Sequence, residues 1–405
     1  MIEERVVGDI LTALDAHDGL FDLLQEEITT ERAYAILAAL EASPTPSQTA
    51  QWARVPVVEG VLREGGLLAD PSVTWVADYA GSGNAVLLLG REPRAKKVWM
   101  FAHLDQISYL VDPGEDGSYP LMPFCYHMQK DGARAAIALG PDLGGGGLEV
   151  RARGTIRVAG SGVTFEVTEG GPLGPGTRVV YDSDLRWDRA TGRLTGYLDD
   201  SVACSAILLA AGVLRRFPVE LLVGLTDEEE GPPGDANQSF ARGGRRLLPW
   251  FDPPALAIVS DVHESEAMVR GPGPRNLRPG DGAVFAERSS SGRGTATPPH
   301  LYALQQHLAT ALDRRGVRLR ENWGGYVSRS EDINATAATP NIALVGVLCS
   351  NRHYALDAPA ANLLDVVDLA KVLVAYTLLA HDPSWPLVGQ ERPAASRPYV
   401  LGGRP

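Results

Sequence analysis

The sequence predicts an α/β protein with a mixed central sheet flanked by helices and a small, barrel-like β-rich domain inserted into it. Short apolar runs bounded by turn residues predict strands buried on both faces, and segments with helical apolar spacing lie between them. Between residues 108 and 191, short β-like pieces alternate with glycine-rich turns, which is typical of a small barrel. A chain of 405 residues is long enough for one large and one small domain.

The predicted boundaries divide the chain into a discontinuous main domain, an insert and a tail. The main domain comprises residues 1–107 and 192–382, and the insert comprises residues 108–191. Residues 1–66 are predicted to form a helical N-terminal extension of the main domain. Residues 383–405 form a proline-rich tail.

The elements of the main domain follow from its apolar pattern. Helical spacing predicts helices over residues 7–14, 33–40, 201–217, 301–315 and 364–379. Strand-like runs predict strands over residues 73–78, 85–89, 97–102, 221–225, 255–260 and 340–349. The first two strands are separated by a short glycine-containing connection, which predicts a hairpin.

The charge balance restricts the class of partner. The chain has 37 lysines and arginines against 50 aspartates and glutamates, a formal net charge of −13. This acidity disfavours nucleic acid and anionic membrane surfaces as partners. An acidic enzyme or binding protein remains.

The cysteines and the N-terminal residues indicate the cellular compartment in which the protein is expected. Cys125, Cys204 and Cys349 are far apart and form no CxxC pair, which argues against a disulfide framework or a thiolate metal site. A reducing cytoplasm is therefore expected. The first residues are acidic and amphipathic, and no apolar run approaches about 18 residues, so we expect neither an export signal nor a membrane span.

Acids and histidines follow several predicted strands, at the edge where open α/β sheets bind ligands. These residues are His103, Asp199, Glu228, Glu229, Asp261 and His353. Asp199 and Asp200 open the helix 201–217, and a helix cap needs only one carboxylate. Any one of these groups alone is explained by a capped strand end or a solvated turn. Together, four carboxylates at one edge require cations, and nitrogen and oxygen ligands without thiolate suit Zn²⁺, with Co²⁺ or Mn²⁺ as alternatives.

The order of these motifs resembles the tetrahedral or glutamyl aminopeptidases, dinuclear metallopeptidases in the same clan as other zinc aminopeptidases and carboxypeptidases. The matching motifs are His103-Leu104-Asp105, Leu198-Asp199-Asp200, residues 228–234, Ser260-Asp261-Val262 and Arg352-His353. The resemblance spans about residues 70 to 380 and includes the β-rich insert. Two positions depart from it: Ser201 replaces the usual arginine, and Arg352-His353-Tyr354 replaces Arg-Tyr-x-His.

The resemblance implies a zinc-exopeptidase-like fold and a dinuclear centre of two divalent metal ions. The implied metal ligands are His103, Asp199, Glu229, Asp261 and His353. Asp199 would bridge the two ions and be followed by a cis peptide bond to Asp200. Glu228 would be the general base, and Asp105 would orient His103. The implied activity is removal of N-terminal residues from peptides by a homo-oligomeric enzyme.

Three alternatives remain open from the sequence. The consecutive glutamates also allow a register in which Glu229 is the base and Glu230 the ligand, although the spacing to Gly231 and Gly234 favours Glu228 and Glu229. The same ligands would serve a carboxypeptidase or a deacylase of the clan. An inactive peptide-binding homologue is the third alternative, against which the retention of Glu228 argues.

Overall fold

The structure is a computed structural model that describes residues 2–232, 241–265, 277–323 and 326–383. Its helices are α1 (Ile2–Asp15), α2 (Leu20–Glu27), α3 (Thr30–Glu41), α4 (Arg54–Glu64), α5 (Ser201–Leu214), α6 (Arg242–Leu247), α7 (Pro299–Asp313), α8 (Asp332–Ala335) and α9 (Leu363–His381). Gly234 of the predicted motif and nearly all of the predicted tail, residues 384–405, lie outside the described residues.

The strands fall into a main sheet, a barrel and a small sheet. They are β1 (Val73–Val76), β2 (Ala85–Leu89), β3 (Val98–His103), β4 (Tyr109–Val111), β5 (Ser118–Pro123), β6 (Gly132–Asp142), β7 (Gly147–Ala159), β8 (Gly162–Gly170), β9 (Arg178–Tyr181), β10 (Arg186–Trp187), β11 (Arg193–Thr195), β12 (Leu221–Thr226), β13 (Leu256–Glu264), β14 (Ala283–Ala286), β15 (Leu319–Glu321), β16 (Tyr326–Val327), β17 (Ile342–Cys349) and β18 (Ala360–Asn362).

The main sheet has the mixed, helix-flanked architecture that the sequence predicts. In the described ranges its strand order is β1-β2-β12-β3-β13-β17-β14-β15, with β16 beside β13. The four central strands, β12, β3, β13 and β17, run parallel, so their carboxyl ends meet at one edge. β3 and β12 are buried at every position, which explains their unbroken apolar sequence.

The inserted domain is the predicted barrel, closed in the order β4-β5-β8-β7-β6-β9. Its interior is filled by apolar side chains such as Ile156, Phe165 and Val179. Gly154 is required where β7 and β8 approach, because a Cβ there would lie 2.1 Å from the carbonyl oxygen of Glu166. After the barrel, β10 and β11 pair with each other and β11 pairs with β18.

Most predicted elements lie close to their predicted positions, and the differences have physical causes. The strand predicted over 255–260 continues as β13 to Glu264, because its pairing with β17 extends to Cys349. Asp261 therefore lies within the strand. The helix predicted over 201–217 ends at Leu214, ahead of Pro218, whose missing N–H and fixed φ oppose helix continuation. The short elements α6, α8 and β14 were not predicted, since pieces of four to six residues carry too little periodicity.

The N-terminal helices are part of the main core. Ile10, Leu14, Leu37 and Leu40 belong to the same buried cluster as the inward faces of α5 and α9. Within the described ranges, no helix has both the length and the apolar character needed to cross a membrane.

Arg54 joins this helical region to the sheet through a fully buried guanidinium. Its Nη2 lies 3.1 Å from Oε1 of Glu41, and Nη1 donates to the carbonyl oxygen of Leu104 at 2.9 Å. Glu41 also accepts a hydrogen bond from the backbone N–H of Tyr197, just before α5. A buried ion pair is costly to break because the remaining charge loses its partner without gaining water.

We expect Arg54→Ala to lower the free energy of unfolding by about 3 to 5 kcal/mol, because Glu41 would keep a buried, unpaired charge. Urea denaturation followed by circular dichroism measures the change. The control is Arg63→Ala, which removes an exposed pair with Glu59 one helical turn away and should cost less than about 0.5 kcal/mol. A loss below about 1 kcal/mol for the Arg54 variant would contradict the expected role.

Candidate active site

The carboxyl ends of the central parallel strands gather the candidate residues at one edge of the main sheet. His103 ends β3, the glutamates follow β12, and Asp261 lies near the end of β13. Asp199 precedes α5, and His353 follows β17. All of these side chains are buried, so the charged groups of the site are largely removed from water.

The first group of potential ligands, the His103 triad, consists of His103, Asp199 and Asp261. Nε2 of His103 lies 3.2 Å from Oδ1 of Asp199 and 3.9 Å from Oδ1 of Asp261. One ligand atom from each residue lies within 4.8 Å of the others. These separations suit the tetrahedral or slightly larger coordination sphere of a divalent metal.

The second group, the His353 triad, consists of Asp199, Glu230 and His353. Nε2 of His353 lies 3.3 Å from Oδ2 of Asp199 and 3.1 Å from Oε1 of Glu230. Asp199 therefore presents one carboxylate oxygen to each triad. The peptide bond between Asp199 and Asp200 is cis, as the resemblance implied.

The three consecutive glutamates face different partners. Glu228 has a positive φ of 60°, and its Oε1 is paired with Nη2 of Arg246 at 2.7 Å. Glu229 directs Oε2 to within 3.8 Å of Nε2 of His103, and Glu230 belongs to the His353 triad. His103, Glu229 and Glu230 together form a third group that could hold a metal ion. The structure thus brings Glu229 and Glu230 to the cluster and does not bring Glu228, which corresponds to the second of the two registers allowed by the sequence.

Two backbone carbonyls orient the imidazoles. Nδ1 of His103 donates to the carbonyl oxygen of Asp105 at 3.0 Å, and Nδ1 of His353 donates to the carbonyl oxygen of Tyr126 at 2.8 Å. In each ring this leaves Nε2 turned toward the carboxylates, where the deprotonated imidazole could bind a metal. Tyr126 lies in the inserted domain, so the barrel holds one ligand in place. No sequence signal identified this contact, because a backbone carbonyl is common to every residue type.

Asp105 acts on the glutamates more than on His103. Its carboxylate accepts the backbone N–H groups of Glu229 at 3.0 Å and Glu230 at 3.1 Å, whereas its nearest oxygen is 3.7 Å from Nδ1 of His103. The same carboxylate accepts the hydroxyl of Ser47 at 2.6 Å. Ser47 lies between α3 and α4, within the predicted helical extension, so this part of the chain also supports the site. The orientation of His103 that was expected from the Asp105 side chain comes from the Asp105 carbonyl.

The electrostatics of the cluster favour a bound cation. Burial, with the charge of Asp199, raises the pKa of Asp261 to about 8. Burial and the neighbouring Glu230 likewise raise the pKa of Glu229 well above its usual range. Burial opposes the charge of His353, yet Glu230 and Asp199 raise its pKa to about 9. Burial is the largest cause of the shifts of the two carboxyl groups, and neighbouring negative charge raises all three pKa values further, which a bound cation would offset.

The donor set fits divalent metals. Six residues, His103, Asp199, Glu229, Glu230, Asp261 and His353, supply imidazole nitrogens and carboxylate oxygens. Oε1 of Glu230 is buried and has no hydrogen-bond partner among the described residues, although it lies within the His353 triad. A metal ion would satisfy this oxygen. The cysteines are buried elsewhere as free thiols and join none of these groups.

Solved structures of other proteins share this fold, although sequence comparisons find no match. No protein-family model matches the sequence, and no curated protein matches it. Among solved structures, the TET1 peptidase of Pyrococcus horikoshii, which can assemble into a tetrahedron or a large octahedral shell, is similar at 15% identity with a TM-score of 0.63, covering 85% of this chain and 99% of that chain. The aminopeptidase APDkam598 of Desulfurococcus kamchatkensis gives 14% identity and a TM-score of 0.64 over 86% and 95% of the two chains.

The chain shares the fold of TET aminopeptidases. An aminopeptidase of the M18 family from Thermotoga maritima is also similar, with 14% identity and a TM-score of 0.58 over 87% of this chain and 97% of that one. At these identities the similarity establishes the fold. The residues that act in this chain must be argued from its own site.

Proposed function

We propose that this protein is a metal-dependent aminopeptidase that removes N-terminal residues from peptides. The observation that carries the proposal is the placement of Asp199, whose two carboxylate oxygens face two separate histidine–carboxylate triads. In such an arrangement Asp199 would be shared by two divalent ions, and the donor set favours Zn²⁺, with Co²⁺ or Mn²⁺ as alternatives. When bound, two such ions polarise a substrate carbonyl and acidify a water molecule.

We propose that Glu229 is the general base, in place of Glu228. Glu229 lies beside the His103 triad, and burial raises its pKa, which makes the carboxylate a better proton acceptor. Glu228 is held in an ion pair with Arg246 and belongs to neither triad. Glu229 would take a proton from the attacking water and return it to the leaving amine. Glu230 would then be the ligand expected at Glu229.

The remaining residues bind or position. His103 and Asp261 would hold one ion, and Glu230 and His353 the other, with Asp199 shared. Asp105 fixes the two adjacent glutamates through their backbone N–H groups, so the base and a ligand are held at a constant separation. This preorganisation lowers the cost of aligning the proton acceptor with the water.

The proposed partners are peptides with a free amino terminus and further copies of this chain. A free α-amino group beside two cations can ligate one of them, which would place the first peptide bond of the substrate at the base. Assembly into a homo-oligomer is proposed by analogy with the TET1 peptidase, and a cytoplasmic location by the free, buried cysteines.

Metal analysis combined with a substrate panel tests the proposed function. We expect the purified protein to hold up to two divalent ions per chain and to hydrolyse peptides with a free amino terminus. The N-acetylated versions of the same peptides should be resistant, and a chelator should abolish turnover. A preference for acylated or C-terminally free substrates would indicate a deacylase or a carboxypeptidase. Hydrolysis that survives complete metal removal would rule out the metallopeptidase.

A further inference from the structure

Arg352 places a guanidinium against the His353 triad. The side chain is only 6% exposed, and its Nη1 lies 3.1 Å from Nε2 of His353 and 3.4 Å from Oδ2 of Asp199. These are the two atoms that a cation in this triad would bind. Arginine remains protonated in proteins, so a permanent positive charge lies beside Nε2 of His353 and Oδ2 of Asp199.

Among the described residues, no arginine forms an ion pair with His103 or Asp261 of the His103 triad. In the described part of the chain, the ion pairs of Arg352 are with Asp199, through Oδ2, and with Glu264. Oδ1 of Asp199 and the carboxylate of Asp261 face His103. The two halves of the cluster therefore differ: the guanidinium contacts Nε2 of His353 and Oδ2 of Asp199, whereas it acts on Asp261 only from outside ion-pairing distance.

A second carboxylate, that of Glu264, lies near the guanidinium. Nε of Arg352 is buried and has no hydrogen-bond partner among the described residues. It lies 3.9 Å from Oε2 of Glu264, about 1 Å beyond a charge-assisted hydrogen bond. A small shift toward Glu264 would complete that bond and withdraw Nη1 from His353 and Asp199.

We propose that Arg352 is a built-in cation that competes with the metal for the His353 triad, so that the two triads fill unequally. The His103 triad takes the first ion, and the His353 triad takes the second more weakly, as Arg352 moves onto Glu264. The inference rests on the proposed metal centre and concerns how its second half is loaded. Competition follows from like-charge repulsion over a few ångströms and from the sharing of two ligand atoms.

The test is a titration of metal-free, full-length protein with Zn²⁺ against a competing chromophoric chelator, which yields two dissociation constants. We expect the second constant of the wild-type protein to be at least about tenfold weaker than the first. Arg352→Gln should tighten the second constant at least about tenfold and leave the first within about threefold. Arg352→Lys, which keeps the charge, should remain closer to the wild type. Arg246→Gln is the matched control, because it removes a guanidinium that pairs with Glu228 outside both triads.

Glu264→Gln provides an independent measurement and decides the matter if the Arg352 variants fail to fold. Loss of its carboxylate charge should keep Arg352 at the triad and weaken the second constant at least about threefold. Equal constants in the wild type, or a second constant unchanged in the Arg352→Gln or Glu264→Gln protein, would overturn the competition while leaving the metal centre intact. A wild-type protein that binds no Zn²⁺ would overturn both this inference and the proposed function.

Discussion

Glu229→Gln is expected to abolish most hydrolysis while leaving the metal content at the wild-type level. Glutamine keeps the size and hydrogen-bonding capacity of glutamate but cannot accept the proton. A positioned general base contributes about 10²- to 10⁴-fold, so kcat should fall by that factor. The measurement combines steady-state kinetics on a peptide with a free amino terminus and elemental analysis of the same protein batch.

The neighbouring glutamates supply the controls. Glu228→Gln removes the ion pair with Arg246 and should change kcat less than about tenfold, because Arg246 is partly exposed and Glu228 belongs to neither triad. Glu230→Gln should lose activity together with metal, since Glu230 lies in the His353 triad. If Glu228→Gln instead loses turnover and keeps its metal while Glu229→Gln loses metal, the register inferred from the glycine spacing is the correct one.

Asp199→Asn should have an equally large effect through a different cause. The carboxamide offers one oxygen and one NH₂ group, so one triad would face a donor where it requires a ligand. We expect the protein to lose at least one of the ions held by the wild type and to lose activity by on the order of 10³-fold or more, the scale of several kcal/mol that metal catalysis supplies. Elemental analysis and peptide hydrolysis measure the two losses.

Asp200→Asn is the matched control for this substitution. Asp200 is the N-cap of α5, where its side chain accepts the backbone N–H of Ala203, and asparagine caps helices equally well. Burial already raises the pKa of Asp200 well above its usual value, so a neutral side chain is readily accommodated. Full metal content with near wild-type turnover is expected. Loss of metal in the Asp200 variant but not in the Asp199 variant would contradict the bridging role.

The two imidazoles differ in what supports them. His103 donates to a carbonyl of its own strand end, at Asp105, whereas His353 donates to the carbonyl of Tyr126 in the barrel. The barrel also closes over the glutamates, since a Cβ at Gly231 would lie 2.1 Å from the carbonyl oxygen of Phe124. Docking of the inserted domain is therefore part of the assembly of the His353 triad.

Several features of the fold were predictable because they are local in the chain. Unbroken apolar runs predicted the central strands, because a parallel strand that is buried on both faces is apolar at nearly every position. The change to short β-like pieces and glycine-rich turns between residues 108 and 191 predicted the barrel. Strand ends then predicted that His103, Asp199, Asp261 and His353 would meet, because parallel strands deliver their carboxyl ends to one edge. The structure brings these four residues together.

The sequence by itself thus determined the order of the elements, the edge of the sheet at which the polar residues collect and the kinds of ligand that they offer. The tertiary structure decided which of the glutamates reach the cluster. The sequence of three consecutive glutamates does not show which side chain faces the cluster. The positive φ of Glu228 and the hydrogen bonds from the N–H groups of Glu229 and Glu230 to Asp105 direct the last two side chains inward. It also decided the acceptors of Arg352, because a charged side chain in the sequence does not specify which of several acids will lie within 4 Å of it in space.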